Sequence, residues 1–320
     1  MAALLVLGIA LPGVGALLKP YVGAAVFLLL ATSFLRADVA ALKRAFSRPA
    51  LVLAATTWTM LAIPALAAIT AAPLAAQFGT PEFRTALMLH AIASPMMSAP
   101  AFAALMGLDA TLALATLVLS SALLPVTATA FAAAAGLGLS LSPLTIGAQL
   151  GAVLAGSALI AFAIRRRVSV EAIKRYSDEI DGCNIIILFV FIAALMSDVA
   201  RQLFAEPLMV AGLTAFAFAI YFCLVWLTAL VFRRAGREQA FAVGVVTSQR
   251  NLGLMLAATG GALPGFVWLY IAVNQFPIYL GPLMLAPVVR RLQSGSGEEM
   301  AQPKHSENRA SSGPMTTDAG

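Results

Sequence analysis

Apolar residues along this chain form long continuous runs, without the strict alternation of apolar and polar residues that marks a half-buried β-strand. Ten of these runs approach the 17–25 residues that an α-helix needs to cross a hydrocarbon layer of about 30 Å. The pattern therefore predicts an all-α multi-pass membrane protein and not a β-barrel. The ten predicted helices cover residues 2–18, 21–35, 50–77, 84–107, 110–135, 140–164, 183–200, 207–232, 239–259 and 264–289.

One membrane domain, residues 1–292, is predicted from these runs. Residues 293–320 are rich in Ser, Gly and charge and lack apolar periodicity, so they are predicted to form a disordered tail. Hydrophobic residues make up 61% of the chain and charged residues 11%, whereas soluble proteins average about 25% charged residues. A soluble fold is therefore excluded, and the lipid bilayer is the first predicted partner.

The basic residues fall in alternate loops. With ten helices and the N-terminus inside, sixteen of the twenty Lys and Arg residues lie on the cytoplasmic side, in segments that begin at Arg36, Arg165, Arg233 and Arg290. This bias follows the positive-inside rule and predicts an inner-membrane protein with both termini in the cytoplasm. Because the net charge of +6 is explained by topology, no nucleic-acid partner is expected.

Two of the ten predicted helices are interrupted. The fourth contains Pro95 and Pro100 between Ser94 and Ala101, and two prolines so close together should break a helix. The ninth contains the polar cluster Thr247-Ser248-Gln249-Arg250-Asn251. If that helix enters the membrane near Gln239, Arg250 lies roughly 16 Å deep, where a charge is expensive and indicates a functional site.

The two interruptions are related by a common spacing. Ser98 precedes Pro125 by 27 residues and Arg250 precedes Pro277 by 27 residues, so one offset of 152 superimposes both pairs. Five helices in each half make the two repeats, residues 1–138 and 139–292, opposite in orientation. Inverted repeats with paired broken helices indicate a substrate site near the membrane midplane of a secondary transporter.

Three stretches of the chain resemble the bile acid:sodium symporter family. They are the segment from Leu108 to Thr127, which resembles the fifth helix, the pair Ile63-Pro64 in the third, and Asn251-x-Gly253-Leu254 in the ninth. The resemblance implies a panel of helices 1, 2, 6 and 7 and a core of helices 3–5 and 8–10. It also implies that helices 4 and 9 cross where they unwind.

The resemblance implies sodium ligands that this chain lacks. The family has a glutamate and a glutamine at the ninth helix, a Ser-Asn pair at the fourth, hydroxyls on the fifth and a glutamine on the third. The corresponding positions here hold Val246 and Arg250, Pro100 and Ala101, Ala113 and Leu117, and Thr59. All fourteen Asp and Glu lie in loops, in the tail or near helix ends, so sodium coupling of the usual kind is not expected.

Arg250 has three interpretations at this point. In the first, its guanidinium takes the space of a sodium ion as a tethered cation, a role that suits arginine because it stays charged and offers five donors. Alternatively it binds a substrate carboxylate through two hydrogen bonds. The third interpretation is an arginine satisfied by local carbonyls without any contact to substrate.

Other polar residues in the predicted helices complete the candidate site. His90 is a candidate proton carrier, although a lone buried histidine is more often simply hydrogen-bonded. Asn274 and Gln275 either contact substrate or join helices. Cys183 and Cys223 lack metal-site spacing and are predicted to be buried, and neither a metal nor a cofactor is expected. The predicted substrate-binding residues are Ser94, Ser98, Pro100, Thr247, Ser248, Gln249, Arg250, Asn251, Asn274 and Gln275.

These features predict a secondary transporter of a small organic anion that works by alternating access without the usual sodium coupling. An anion suits a buried positive charge and the N-termini of broken helices. The alternatives are an efflux carrier of the auxin or arsenite type, an ordinary sodium-coupled symporter, and a ligand-sensing membrane receptor. No HExxH or GxSxG motif is present, so an enzyme is not expected.

Overall fold

The computed structural model describes residues 2–36, 44, 48–78, 80–136, 142–259 and 262–301, of which residues 77, 78, 170, 174 and 292–301 are described by backbone alone. The described residues form helices and no β-sheet. Six of these helices have proline at the first or second position, where its missing N–H costs no hydrogen bond and its fixed φ suits the helix. The helices are α1 (Ala2–Ala10), α2 (Pro12–Leu18), α3 (Val22–Leu35), α4 (Pro49–Thr57), α5 (Ile63–Phe78), α6 (Pro81–Ile92), α7 (Ala99–Leu105), α8 (Ala110–Ala135), α9 (Pro143–Arg167), α10 (Val170–Arg175), α11 (Ser177–Ala205), α12 (Pro207–Val231), α13 (Arg237–Ser248), α14 (Leu252–Thr259), α15 (Gly265–Val273) and α16 (Gln275–Ala301).

Seven helical stretches of the described residues are long and apolar enough to cross a membrane, so the chain is a helical membrane protein. The two interrupted runs are not among the seven because each is divided into two short helices. The break after α6 at Ile92 and the break between α13 and α14 confirm both predicted interruptions. The seven stretches are Pro12–Leu35, Pro49–Ala76, Ala110–Ala135, Pro143–Arg167, Ser177–Ala205, Pro207–Val231 and Gly265–Arg291.

The two ends of the chain differ from the prediction. A break was expected near Lys19, but only a 3-10 turn over Lys19–Tyr21 lies there, and Pro12–Leu35 is one helical stretch. The break lies instead at Leu11, whose backbone leaves the helical region just before a proline. At the other end α16 continues to Ala301, beyond the predicted end of the tenth helix at residue 289. Residues 302–320 of the predicted tail lie outside the described part, and the tail stays a prediction.

Two sets of helices are distinguished by what they carry. Helices α1, α2, α3, α9 and α11 are called the scaffold group, and helices α4 to α8 and α12 to α16, which include both broken helices, are called the crossing group. The groups touch where α9 meets α8 and α14, where α3 meets α14, and where α11 meets α15. The panel and core that the resemblance implies stay a prediction, because α14 packs mainly against α3 and α9 of the scaffold group.

Both cysteines correct a prediction. Cys183 and Cys223 are exposed on the surface of the helical bundle, although lone thiols in apolar runs were expected to be buried. An apolar run that faces lipid has the same composition as one that faces protein, so the sequence alone does not separate the two cases.

Candidate functional site

The two broken helices cross as extended strands. The N–H of Met96 donates to the carbonyl of Gln249 at 2.6 Å, and the N–H of Asn251 donates to the carbonyl of Ser94 at 2.8 Å. Pro95 and Arg250 face each other in an isolated antiparallel bridge. The residues on either side of this pair make the hydrogen bonds, so the missing N–H of Pro95 costs none. The backbone groups that each helix break exposes are thereby hydrogen-bonded to the other break.

Arg250 lies at the centre of this crossing with no exposed surface. Its Nη1 donates to the carbonyl of Ala93 at 2.8 Å and to that of Thr59 at 3.2 Å, and its Nη2 donates to the same Thr59 oxygen at 3.3 Å. Its Nε has no hydrogen-bond partner among the described residues. The guanidinium is therefore held by neutral carbonyls of two other segments.

Local backbone structure explains why the carbonyl of Thr59 is available. Trp58–Ala62 form a π-helical turn, and the N–H of Ile63 reaches the carbonyl of Trp58, five residues back. With the same spacing of five residues, the carbonyl of Thr59 would accept from the N–H of residue 64, but residue 64 is a proline and has no N–H. The helix therefore leaves an acceptor that Arg250 satisfies.

The carbonyl of Ala93 is free for a different reason. The N–H of Ala93 closes the last turn of α6, and the chain then leaves the helix with an extended backbone. The last carbonyls of a helix have no intrahelical donors and carry the negative end of its dipole. A cation at this position stabilises the broken end of α6.

No carboxylate is buried among the residues whose side chains the structure describes. Three positions that hold sodium ligands in the family that the chain resembles hold Ala113, Leu117 and Val246 here, and all three side chains are buried and apolar. On α8 the hydroxyls of Thr116 and Ser120 are buried without a hydrogen-bond partner among the described residues, but neutral hydroxyls alone supply no counter-charge. The described donor set does not fit the family's sodium sites.

A cavity of about 420 Å³ lies between the two groups, with the crossing at one end and the Arg36–Asp181 ion pair at the other. The scaffold group contributes α3 and α11, and the crossing group contributes the crossing itself and α16. Its wall is mostly apolar, with polar groups concentrated at the two ends. Its apolar lining residues are Val26, Leu29, Leu30, Met96, Met97, Phe102, Ile185, Leu188, Phe191, Leu252, Ile278 and Tyr279.

The two groups are joined at the far end of α11. The ammonium of Lys19 pairs with Asp198 of α11 at 2.6 Å and lies 5.5 Å from the ring centre of Trp268 on α15. Asp198 also pairs with Arg201. One side chain therefore bridges the scaffold and crossing groups at the end opposite to the Arg36–Asp181 pair.

The structure brings only some of the predicted substrate-binding residues to the cavity. Ser98, Asn251 and Gln275 line it, and Arg250 lies in its wall without exposed surface. Asn251 also caps α14, because its Oδ1 accepts from the N–H of Leu254 at 3.0 Å. The N-terminus of α14 therefore borders the cavity.

The other predicted residues lie away from this lining, so their contact with substrate stays a prediction. Ser94 is buried and acts through its carbonyl in the crossing, and Pro100 is the second residue of α7. Four other predicted residues each make a hydrogen bond within the protein. The hydrogen bonds are Thr247 with Thr59 at 2.9 Å, Ser248 to Val245 at 3.0 Å, Gln249 to Ile278 at 2.9 Å, and Asn274 to Tyr270 at 2.7 Å.

His90 is buried in α6, and its Nδ1 lies 3.3 Å from the hydroxyl of Tyr270. Its Nε2 has no partner among the described residues. The residue does not line the cavity. Its geometry is that of a hydrogen-bonded interior histidine, and proton coupling through it stays a prediction.

Sequence reasoning missed the aromatic wall residue Tyr279. It lies one helical turn after Gln275 on α16, and both line the cavity. The hydroxyls of Tyr279 and Ser98 are buried without a hydrogen-bond partner among the described residues. Buried polar atoms of this kind require an explanation. The sequence signal that could have indicated Tyr279 is its spacing of four residues from Gln275, which places both on one face of a helix.

No family model matches the chain, and no curated protein matches it. Its function is therefore inferred from its own residues.

Proposed function

We propose that this protein is a secondary transporter of a small organic anion that works by alternating access. The observation that carries the proposal is the cavity between two helix groups, bounded by a crossing of two broken helices with a buried arginine. Broken helices that meet near the membrane midplane are the usual substrate sites of such carriers. The inverted orientation of the two halves belongs to the same proposal, with four membrane-crossing helices in the first half, because Pro12–Leu35 is one stretch, and five in the second.

The wall of the cavity supports an organic anion as substrate. Its apolar lining suits a hydrocarbon body, and pockets of this size enclose ligands of that kind. The N-terminus of α14 and the positive charge of Arg250 lie at the crossing end, where both favour a negative group. The hydroxyls of Ser98 and Tyr279 supply donors at the same end.

The orientation rests on one ion pair. Arg36 pairs with Asp181 near the start of α11, so Arg36 and the basic end of α9 at Arg165, which is joined to α11 by a short connection, lie on one side of the helix bundle. By the positive-inside rule this side is the cytoplasm. We propose an inner-membrane protein with a cytoplasmic C-terminus whose cavity extends toward the cytoplasm. A cytoplasmic N-terminus, as the sequence predicts, would require a further crossing before Pro12–Leu35, and α1 with nine residues is too short for one.

Arg250 replaces a coupling cation in this proposal. A tethered guanidinium bound to the carbonyls of Thr59 and Ala93 stabilises the crossing in the way that a bound ion would. Because those carbonyls occupy it, the substrate carboxylate is not its hydrogen-bond partner in this conformation. Transport is then independent of sodium.

The first experiment measures the melting temperature of the purified protein against acetate, benzoate, succinate and cholate, in sodium chloride and in choline chloride. A ligand that binds the folded state raises the melting temperature by mass action. We expect one class of anion to stabilise equally in both salts, and uptake of that anion into proteoliposomes.

Two outcomes would contradict this proposal in different ways. Stabilisation that requires sodium would show an ordinary symporter with displaced ligands. An absence of stabilisation and uptake across the panel in both salts would refute the anion carrier.

Replacing Tyr279 by phenylalanine tests the wall of the cavity. Because its hydroxyl has no hydrogen-bond partner to lose among the residues that the structure describes, the melting temperature without ligand should stay constant or rise. The affinity for the anion should fall about tenfold, since one hydrogen bond to a charged group contributes about 1.5 kcal/mol. Tyr176→Phe, at an exposed tyrosine, is the matched control, and equal affinities of the two variants would remove Tyr279 from the site.

A further inference from the structure

We infer that the carrier exchanges one anion for another and performs net transport of a single anion slowly. The inference rests on the proposed function and adds the mode of transport. It follows from the fact that the positive charge at the site is part of the chain.

The charge of Arg250 has no anionic partner in the described structure. Its Nη atoms contact only neutral carbonyl oxygens, and its Nε has no hydrogen-bond partner among the described residues. No described carboxylate is buried with it. The crossing group therefore holds an uncompensated positive charge whenever the cavity is empty.

A tethered cation differs from a dissolved ion in one respect that matters for the transport cycle. A bound ion leaves with the substrate, so the empty carrier returns without it. The guanidinium stays, so the empty crossing group must carry an unneutralised charge through the membrane. An uncompensated charge in the hydrocarbon region is unfavourable, and arginine does not lose its proton to avoid it.

A bound anion removes this penalty. The negative charge of the anion, at the crossing end of the cavity, lies beside Arg250 and the N-terminus of α14. The crossing group with its bound anion is therefore close to electrically neutral. Movement with anion bound in both directions is then fast, while the return of the empty group is slow. Fast loaded steps and a slow empty step are the kinetic definition of an exchanger.

The experiment measures uptake of the radiolabelled anion that stabilises the protein most, into proteoliposomes that contain either the same unlabelled anion or only choline chloride buffer. We expect initial uptake at least tenfold faster into the preloaded vesicles. We also expect a potassium diffusion potential set with valinomycin to change uptake into empty vesicles but not exchange. Preloading that accelerates uptake less than twofold would overturn the inference.

Two variants of Arg250 test whether the charge is the cause. Arg250→Lys keeps the charge and should keep the preference for preloaded vesicles. Arg250→Gln removes the charge but, unlike alanine, keeps an N–H donor for the carbonyls of Thr59 and Ala93, and the ratio of its two residual uptake rates should be close to one. An unchanged ratio in a folded Arg250→Gln protein would overturn the assignment to this residue. If Arg250→Gln does not fold, the wild-type voltage response still decides between exchange and net transport. Absence of uptake by the wild type in both kinds of vesicle would refute the proposed function itself.

Discussion

Replacing Arg250 by alanine is expected to abolish anion uptake and to destabilise the protein by on the order of 3 kcal/mol, because buried charged hydrogen bonds are lost and a void remains. The carbonyls of Thr59 and Ala93 would be left without donors in the interior. The crossing would lose the group that joins α6 to the π-helical turn. Initial uptake rates and melting temperatures of purified wild type and variant measure both effects.

Replacing Arg250 by lysine distinguishes the effect of the positive charge from the effect of the guanidinium's hydrogen-bond geometry. Arg250→Lys keeps a cation but reaches fewer acceptors, so we expect roughly a tenth of the wild-type rate, in line with the poor exchange of Arg and Lys at multidentate sites. Arg233→Ala removes an exposed arginine at the end of α12 and should transport normally. Wild-type uptake by Arg250→Ala would show that the guanidinium has no part in transport.

Replacing Gly253 by leucine is expected to reduce uptake at least tenfold. A Cβ at this position would lie 2.9 Å from the ring of Phe191 and 3.4 Å from Val26, so α14 has room here only for glycine. These neighbours belong to α11 and α3, so the contact joins the two groups that must move past each other. Added volume at a packed contact costs typically 1–3 kcal/mol, and here it obstructs that movement.

A second substitution tests the steric explanation. Phe191→Ala opens space opposite residue 253 and should restore at least part of the lost rate in the double variant. Gly212→Leu is the matched control, because the corresponding Cβ meets no atom within 4 Å. Failure of Phe191→Ala to improve the Gly253→Leu protein would argue against obstruction at this contact.

Local patterns predicted the helices well. Continuous apolar runs of sufficient length predicted the long helices, and paired prolines predicted the break after Ile92. The polar cluster around Arg250 located the second break. These features depend on a few neighbouring residues, and proline acts on the backbone wherever it stands.

Helix ends at the chain termini were predicted less well. The sequence placed a break near Lys19 and the end of the last helix at residue 289, whereas the structure has a 3-10 turn and a helix that continues to Ala301. Polar residues are compatible with both a loop and a solvated helical turn. Composition therefore locates a helix but does not set its last residues.

The sequence by itself determined that this is a helical membrane protein with an arginine inside an interrupted helix. Only the tertiary structure decided what that arginine binds: the carbonyl of Thr59 lies 191 positions away along the chain. It also decided which polar residues reach the cavity and added Tyr279 to them. The reason is physical, since hydrophobic length and proline act locally, whereas the partners of a buried charge depend on how distant helices pack.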